Sequence, residues 1–176
     1  RVGRAHPPDR GQGDAEDAGD AGGGGLKLMR LYLDVCCFNR PFDDQAQTRI
    51  RLETESKLVL QDLVRTGRHA LVWSYIMDFE VANNPFEERI RHILEWRKLA
   101  SEVIHECDAV LEVAKRLVSD GVSAYDALHV GCAVAGRCDV FVSTDDRLLR
   151  KVERTGLIEA LTPGPALAFA EKWYEN

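Results

Sequence analysis

Three apolar runs, residues 28–33 (LMRLYL), 69–73 (HALVW) and 139–143 (DVFVS), are separated by stretches of helical character. Runs that short suit buried strands better than helices, and the third is rich in residues that favour strands. Strands alternating with helices imply an α/β fold with a mainly parallel central sheet flanked by helices on both faces. The spacing predicts a helix over residues 47–66, with apolar Ile50, Leu52, Leu58, Leu60, Leu63 and Val64 on one face and Gly67 closing it. Ser74 stands where a helix N-cap is expected, before a helix over 75–84 that Asn83-Asn84-Pro85 stops. A helix over 86–100 carries the stripe Phe86, Ile90, Ile93, Leu94 and Leu99. Val103-Ile104 reads as a short strand or a loop, and Asp108 as the cap of a helix that ends before Gly121. Further helices are expected over 123–135, 146–155 (closed by Gly156) and 165–174, with a last short strand over 157–161.

A chain of 176 residues has room for one such domain. Residues 1–25 hold eight of the 14 glycines, five acids and almost nothing apolar, which predicts a disordered tail ahead of a folded domain over 26–176. No apolar run approaches the roughly 18 residues that span a bilayer, and no secretory signal is legible. Five cysteines without a CxxC pair argue for reduced thiols and a cytoplasmic protein rather than a disulfide framework. With 23 basic and 29 acidic residues the formal net charge is −6, which disfavours non-specific wrapping by nucleic acid but leaves room for a local basic path.

Four acids fall where such a fold collects its ligands. Asp34 ends the first strand, Glu80 lies in the helix after the second, Asp126 opens a helix, and Asp145 follows the 139–143 strand. Ligands of open parallel sheets bind beyond the carboxyl ends of the strands. Each acid also has a structural explanation. Ser123-Ala124-Tyr125-Asp126 has capping-box spacing, Asp145 can cap the next helix, Glu80 can be a solvated position, and Asp34 can form a turn. Convergent carboxylates repel, by about 4 kcal/mol for a pair 4 Å apart at an effective dielectric of 20, and need protons or a cation to stay together. Oxygen-only ligands favour Mg²⁺ or Mn²⁺.

At these residues the chain resembles the PIN domain nucleases, the family that includes VapC toxins. LYLDVCCFNRP is similar to the family's opening strand and first acid, Asp34; SYIMDFE to its serine and helix glutamate, Glu80. AYDALHVGCAV resembles its Asp-Ala-Leu-His helix, with Asp126 as third acid, and FVSTDDRLL its strand followed by Thr-x-Asp, with Asp145 as fourth and Ser143 at the hydroxyl position. The resemblance spans about residues 29–151. Gly131 departs from it, standing where a small alanine is usual, and Asp146 leaves the fourth assignment open by one residue.

The resemblance implies a metal-dependent ribonuclease that hydrolyses RNA phosphodiesters, in some members the toxin of a toxin–antitoxin pair. It makes Asp34, Glu80, Asp126 and Asp145 the catalytic set. Asp34, Asp126 and Asp145 would be ligands of Mg²⁺ or Mn²⁺, and Glu80 would complete the cage or orient water. Ser143, Thr144 and Arg40 would meet substrate phosphate or a carboxylate. RNA, an antitoxin protein and a second copy of the chain are the partners it suggests. His129, three residues after Asp126, shares its helix face and could approach the site, but reads first as a packed or hydrogen-bonded histidine. Cys36 and Cys37 read as small fillers. Arg49, Arg51, Arg147, Arg150, Lys151 and Arg154 would form a solvated charged face or guide phosphate. Competing readings are a non-catalytic module of the same fold and a small-molecule phosphatase. A nucleotide-binding fold is disfavoured, because no glycine follows the first strand over residues 34–40.

Overall fold

The computed structural model describes residues 27–173; the tail expected over residues 1–25 lies outside them. Five strands form one sheet: β1 (Met29–Leu33), β2 (His69–Ser74), β3 (Glu102–Ile104), β4 (Val140–Val142) and β5 (Glu159–Leu161). Their order is β3-β2-β1-β4-β5, and all four pairings are parallel. From β1 the chain steps outward through β2 to β3, then returns to the opposite side of β1 for β4 and β5. The crevice beyond the carboxyl ends of β1 and β4 is therefore the point where the strand order reverses. Every residue of β2 and β4 is buried, as is all of β1 except the half-buried Arg30. Successive strand side chains point to opposite faces, so this continuous burial means that helices cover the sheet on both sides.

Among the described residues eight α-helices accompany it: α1 (Val35–Asn39), α2 (Thr48–Arg65), α3 (Tyr75–Ala82), α4 (Glu87–Arg97), α5 (Asp108–Ser119), α6 (Ala124–Ala135), α7 (Asp146–Thr155) and α8 (Pro163–Lys172). Local chemistry sets several of their ends. Ser74 Oγ accepts from the Met77 N–H at the start of α3, and Ser123 from that of Asp126 at the start of α6. Gly67 and Gly156 both adopt positive φ just past helix ends, the left-handed turn that glycine makes without strain. Asp108 is not the cap of its helix: α5 begins at Asp108, with Cys107 in the cap position and no side-chain bond.

Two apolar stripes do not lie where periodicity puts them. On α2, Leu60 and Val64 turn inward, while Leu52 and Leu58 stay about half exposed. The buried positions beside them are Glu53, Thr54, Lys57 and Gln61. Tertiary partners make this acceptable for Glu53, whose carboxylate takes Arg40 Nε at 2.6 Å and Arg49 Nε at 2.8 Å. On α4 only Ile93 is buried, and Phe86 is capped instead by the Arg89 guanidinium, 4.3 Å from its ring centroid.

Lys57 carries the cost of this arrangement. Its ammonium lies 5.5 Å from the Phe38 ring centroid, and burial pulls its pKa down to about 8. A lysine whose folded pKa lies below its unfolded value weakens the fold while both states are charged. Stability returns as pH rises from about 8 through the unfolded value near 10.5. Lys57→Met is therefore expected to stabilise the chain at pH 7 by up to about 3 kcal/mol. The advantage over wild type should shrink towards pH 10.5, as read by urea denaturation across that range.

Gly131 is explained by packing. A Cβ there would meet the Val110 carbonyl oxygen at 2.7 Å, so α5 and α6 approach too closely for even an alanine. The obstacle is backbone, which cannot rotate away. Gly131→Ala gains about 1 kcal/mol of helix propensity but incurs overpacking of about 1–3 kcal/mol. A net drop in melting temperature is expected by calorimetry, whereas relief by helix propensity alone would raise it.

Candidate functional site

The site grows out of the pairing of β1 with β4. The Asp34 N–H donates to the Val142 carbonyl at 2.9 Å, which carries the ladder one residue past β1 and fixes Asp34 at the crevice. Its carboxylate is buried and accepts from Ser143 Oγ at 2.8 Å and Cys36 Sγ at 3.2 Å. Ser143 also accepts from the Asp145 N–H at 3.2 Å, so one hydroxyl ties the first acid to the loop after β4. Cys36 is part of this cluster rather than a filler, since its sulfur also accepts from the Thr144 N–H at 3.3 Å. Cys37 is the buried one, and its thiol is held well above the usual range by burial. All five cysteines are free thiols.

Facing Asp34 are α3 and α6. Glu80 projects from α3, where Ile76, Met77 and Val81 take the buried face and leave it at the rim. Its Oε2 lies 2.9 Å from Nε2 of His129 on α6, which is 1% exposed. The other ring nitrogen, Nδ1, lies 2.7 Å from the Tyr32 hydroxyl, which in turn lies 2.6 Å from Ser74 Oγ. A carboxylate only accepts, so Nε2 carries the proton towards Glu80. In the neutral ring Nδ1 then accepts from Tyr32, and Tyr32 from Ser74. Offering Nε2 to a cation needs the other tautomer, with the same relay running the opposite way.

The electrostatics follow from burial and crowding. Burial disfavours a charged His129, but the Glu80 hydrogen bond and the charges of Asp34, Glu80 and Asp126 outweigh it and hold its pKa above the usual value. Asp126 is pushed up chiefly by burial and further by Asp34 and Asp145, while Ser123 and His129 pull the other way. Tyr32 is held far above the ordinary phenol range by burial, so it remains a hydrogen-bonding hydroxyl.

One oxygen each from Asp34 and Glu80 and one nitrogen of His129 lie within 4.8 Å of one another, a group that could hold a metal ion. The structure thus brings together two of the acids read from the sequence, with the histidine that shares a helix face with Asp126. Asp126 receives Ser123 Oγ at 2.5 Å, and Asp145 Oδ1 accepts the N–H groups of Arg147 and Leu148. Asp145 therefore fills the capping role open to it, while the Asp126 carboxylate takes the hydroxyl of the capping Ser123 rather than a helix N–H and still feels the charges of Asp34, Asp145 and His129. Asp146 is committed elsewhere, to a two-point pair with Arg49 at 2.7 and 2.8 Å that lowers its pKa. Arg40 is engaged by Glu53 and Asp43. Tyr32 gives no sequence signal as a site residue, being a strand position, whereas Ser74 is legible both as a cap and as the serine of the SYIMDFE motif. For His129, the three-residue spacing from Asp126 was the available signal.

A parallel five-strand sheet of this order, with acids at its reversal point, defines a PIN-like α/β fold. It is similar to FitAcB from Neisseria gonorrhoeae, with a TM-score of 0.51 and 13% identity over 76% of this chain and 97% of that one. It is also similar to PAE2754 from Pyrobaculum aerophilum, with a TM-score of 0.50 and 15% identity over 81% and 90% of the two chains. DNA-bound VapBC from Salmonella typhimurium matches more loosely, with a TM-score of 0.45 and 18% identity over 77% and 99%. No protein-family model and no curated protein matches the chain. Among the described residues no helix is long and apolar enough to cross a membrane.

If the group holds a cation, the ion relieves repulsion present only in the native state. Stabilisation then follows RT ln(1 + [L]/Kd), about 2.7 kcal/mol at a hundredfold excess over Kd. Millimolar Mn²⁺ is expected to raise the melting temperature relative to EDTA, and Asp34→Asn to remove most of that shift. Equal melting curves for wild type in the two buffers would exclude a formed site.

Proposed function

We propose that the chain is a Mg²⁺- or Mn²⁺-dependent endoribonuclease, the toxin of a toxin–antitoxin pair, that hydrolyses RNA phosphodiesters at the crevice between β1 and β4. The observation that carries this reading is the meeting of Asp34, Glu80 and His129 at the reversal point of a PIN-like sheet. Three polar side chains offering ligand atoms within 4.8 Å, two of them buried, form a donor set suited to a cation.

In this reading Asp34, Asp126 and Asp145 would hold the ion, and Glu80 would complete the cage or orient the attacking water. When bound, the ion would supply Lewis acidity towards a phosphoryl oxygen and a more acidic water. The protein's own part is preorganisation. Ser143 fixes the Asp34 carboxylate, and Ser74 and Tyr32 fix the His129 ring from behind. His129 in turn orients Glu80, which is placed to accept a proton from an attacking water. Buried partners mean that little reorganisation is left for the reaction itself.

The local hydrogen bonds that engage Asp126 and Asp145 favour a second reading, a PIN-fold module that binds RNA or a protein without cutting. Turnover separates the two. Purified chain incubated with single-stranded RNA is expected to cut it in Mn²⁺ and not in EDTA. Asp126→Asn is expected to lower the rate by at least a hundredfold with the fold retained, because the amide keeps size but removes the charge a hard cation needs. Asp146→Asn, which loses only an exposed pair with Arg49, should leave most of the rate. Wild-type cutting by Asp126→Asn would sink the assignment of that acid.

A further inference from the structure

Phe79 and Tyr125 immediately precede Glu80 and Asp126, and the core uses neither. Both rings are about half exposed, 49% and 51%, yet they are stacked on each other across α3 and α6, with centroids 5.6 Å apart and planes 27° from parallel. The Glu80–His129 contact bridges the same two helices. Tyr125 and His129 are four residues apart on α6 and so lie on one helix face, about 5–6 Å apart at Cβ. The aromatic pair therefore borders the acid–histidine group, one helical turn away.

We infer that Phe79 and Tyr125 form a stacking platform for a base of single-stranded RNA, next to the phosphate that would be cut. The inference rests on the ribonuclease reading above and adds the contact by which the strand is held. Charge favours it. The chain has net charge −6, Asp34 and Glu80 meet in the group beside the pair, and Asp126 feels the charges of Asp34 and Asp145, so phosphate attraction is weak beside the reacting centre. A base presents an uncharged π-face, which gains from an aromatic ring whatever the surrounding field. The two rings orient each other, so little side-chain freedom is lost when a base arrives. A duplex keeps its bases stacked inside, so the platform selects unpaired strands.

The test uses short single-stranded RNA oligonucleotides carrying 2-aminopurine at successive positions, titrated with the full chain in EDTA so that no metal-dependent cutting intervenes. Wild type is expected to quench one position most strongly. Phe79→Ala and Tyr125→Ala should each lose that quench and weaken binding about tenfold, and Tyr125→Phe should keep both. In Mn²⁺ the alanine variants should lose kcat/KM mainly through KM. Alanine variants that bind and quench like wild type would overturn the platform, as would wild type that binds no single-stranded RNA. Quenching by wild type without any cutting would leave the platform standing and remove the nuclease reading. Sedimentation velocity closes the remaining route: variants that only break a dimer, with RNA binding per chain unchanged, would assign the pair to a second copy and overturn the inference.

Discussion

The site depends on the parallel pairing of β1 with β4. That pairing runs from Leu31 opposite Val140 to Leu33 opposite Val142, and one further backbone bond pins Asp34 beyond it. Without this contact, Asp34 and Ser143 would be 109 residues apart in sequence with nothing to hold them together. With it, the first carboxylate is buried, hydrogen-bonded and set at the one edge of the sheet where the chain departs in both directions. Parallel strands need crossovers, and here those crossovers deliver α3 and α6, with Glu80 and His129, to the same opening.

Placing acids there creates a charge problem that the fold answers with His129. The ring is fully enclosed, a position that ordinarily favours neutral imidazole. It is nevertheless surrounded by Asp34, Glu80 and Asp126, and their combined charge raises its affinity for a proton. The Tyr32 and Ser74 hydroxyls satisfy its far side, so no buried polar atom of the ring is left unpaired. The histidine thus serves as a hydrogen-bonded counter-charge among the acids.

Elsewhere the fold tolerates compromises that its helix contacts impose. The close approach of α5 and α6 leaves space for a hydrogen and no more at Gly131. The inner face of α2 carries Glu53, Lys57 and Gln61, charged and polar groups that a freer helix would turn to water. Glu53 escapes the full desolvation cost through two arginines, and Lys57 does not.

Much of this was legible in the sequence alone. Short apolar runs gave all three central strands, because a strand buried on both faces must be apolar at every position. Glycines past α2 and α7 and serines before α3 and α6 marked helix ends, because caps are local chemistry. The order of Asp34, Glu80, Asp126 and Asp145 along these elements was equally visible. Tertiary structure decided the rest. Helical periodicity placed Leu52 and Leu58 on the inner face of α2, but the neighbours that α2 meets turned Lys57 and Gln61 inward instead. The difference between Asp145, which caps a helix, and Asp146, which pairs with Arg49, depends on a contact 97 residues away. Tyr32 and His129 became partners only when β1 and α6 packed together. The sequence determined which ionisable and donor groups the candidate site can draw on, since residue type fixes charge and donor capacity. Their distances were set by the packing of elements remote in the chain, which no local pattern encodes.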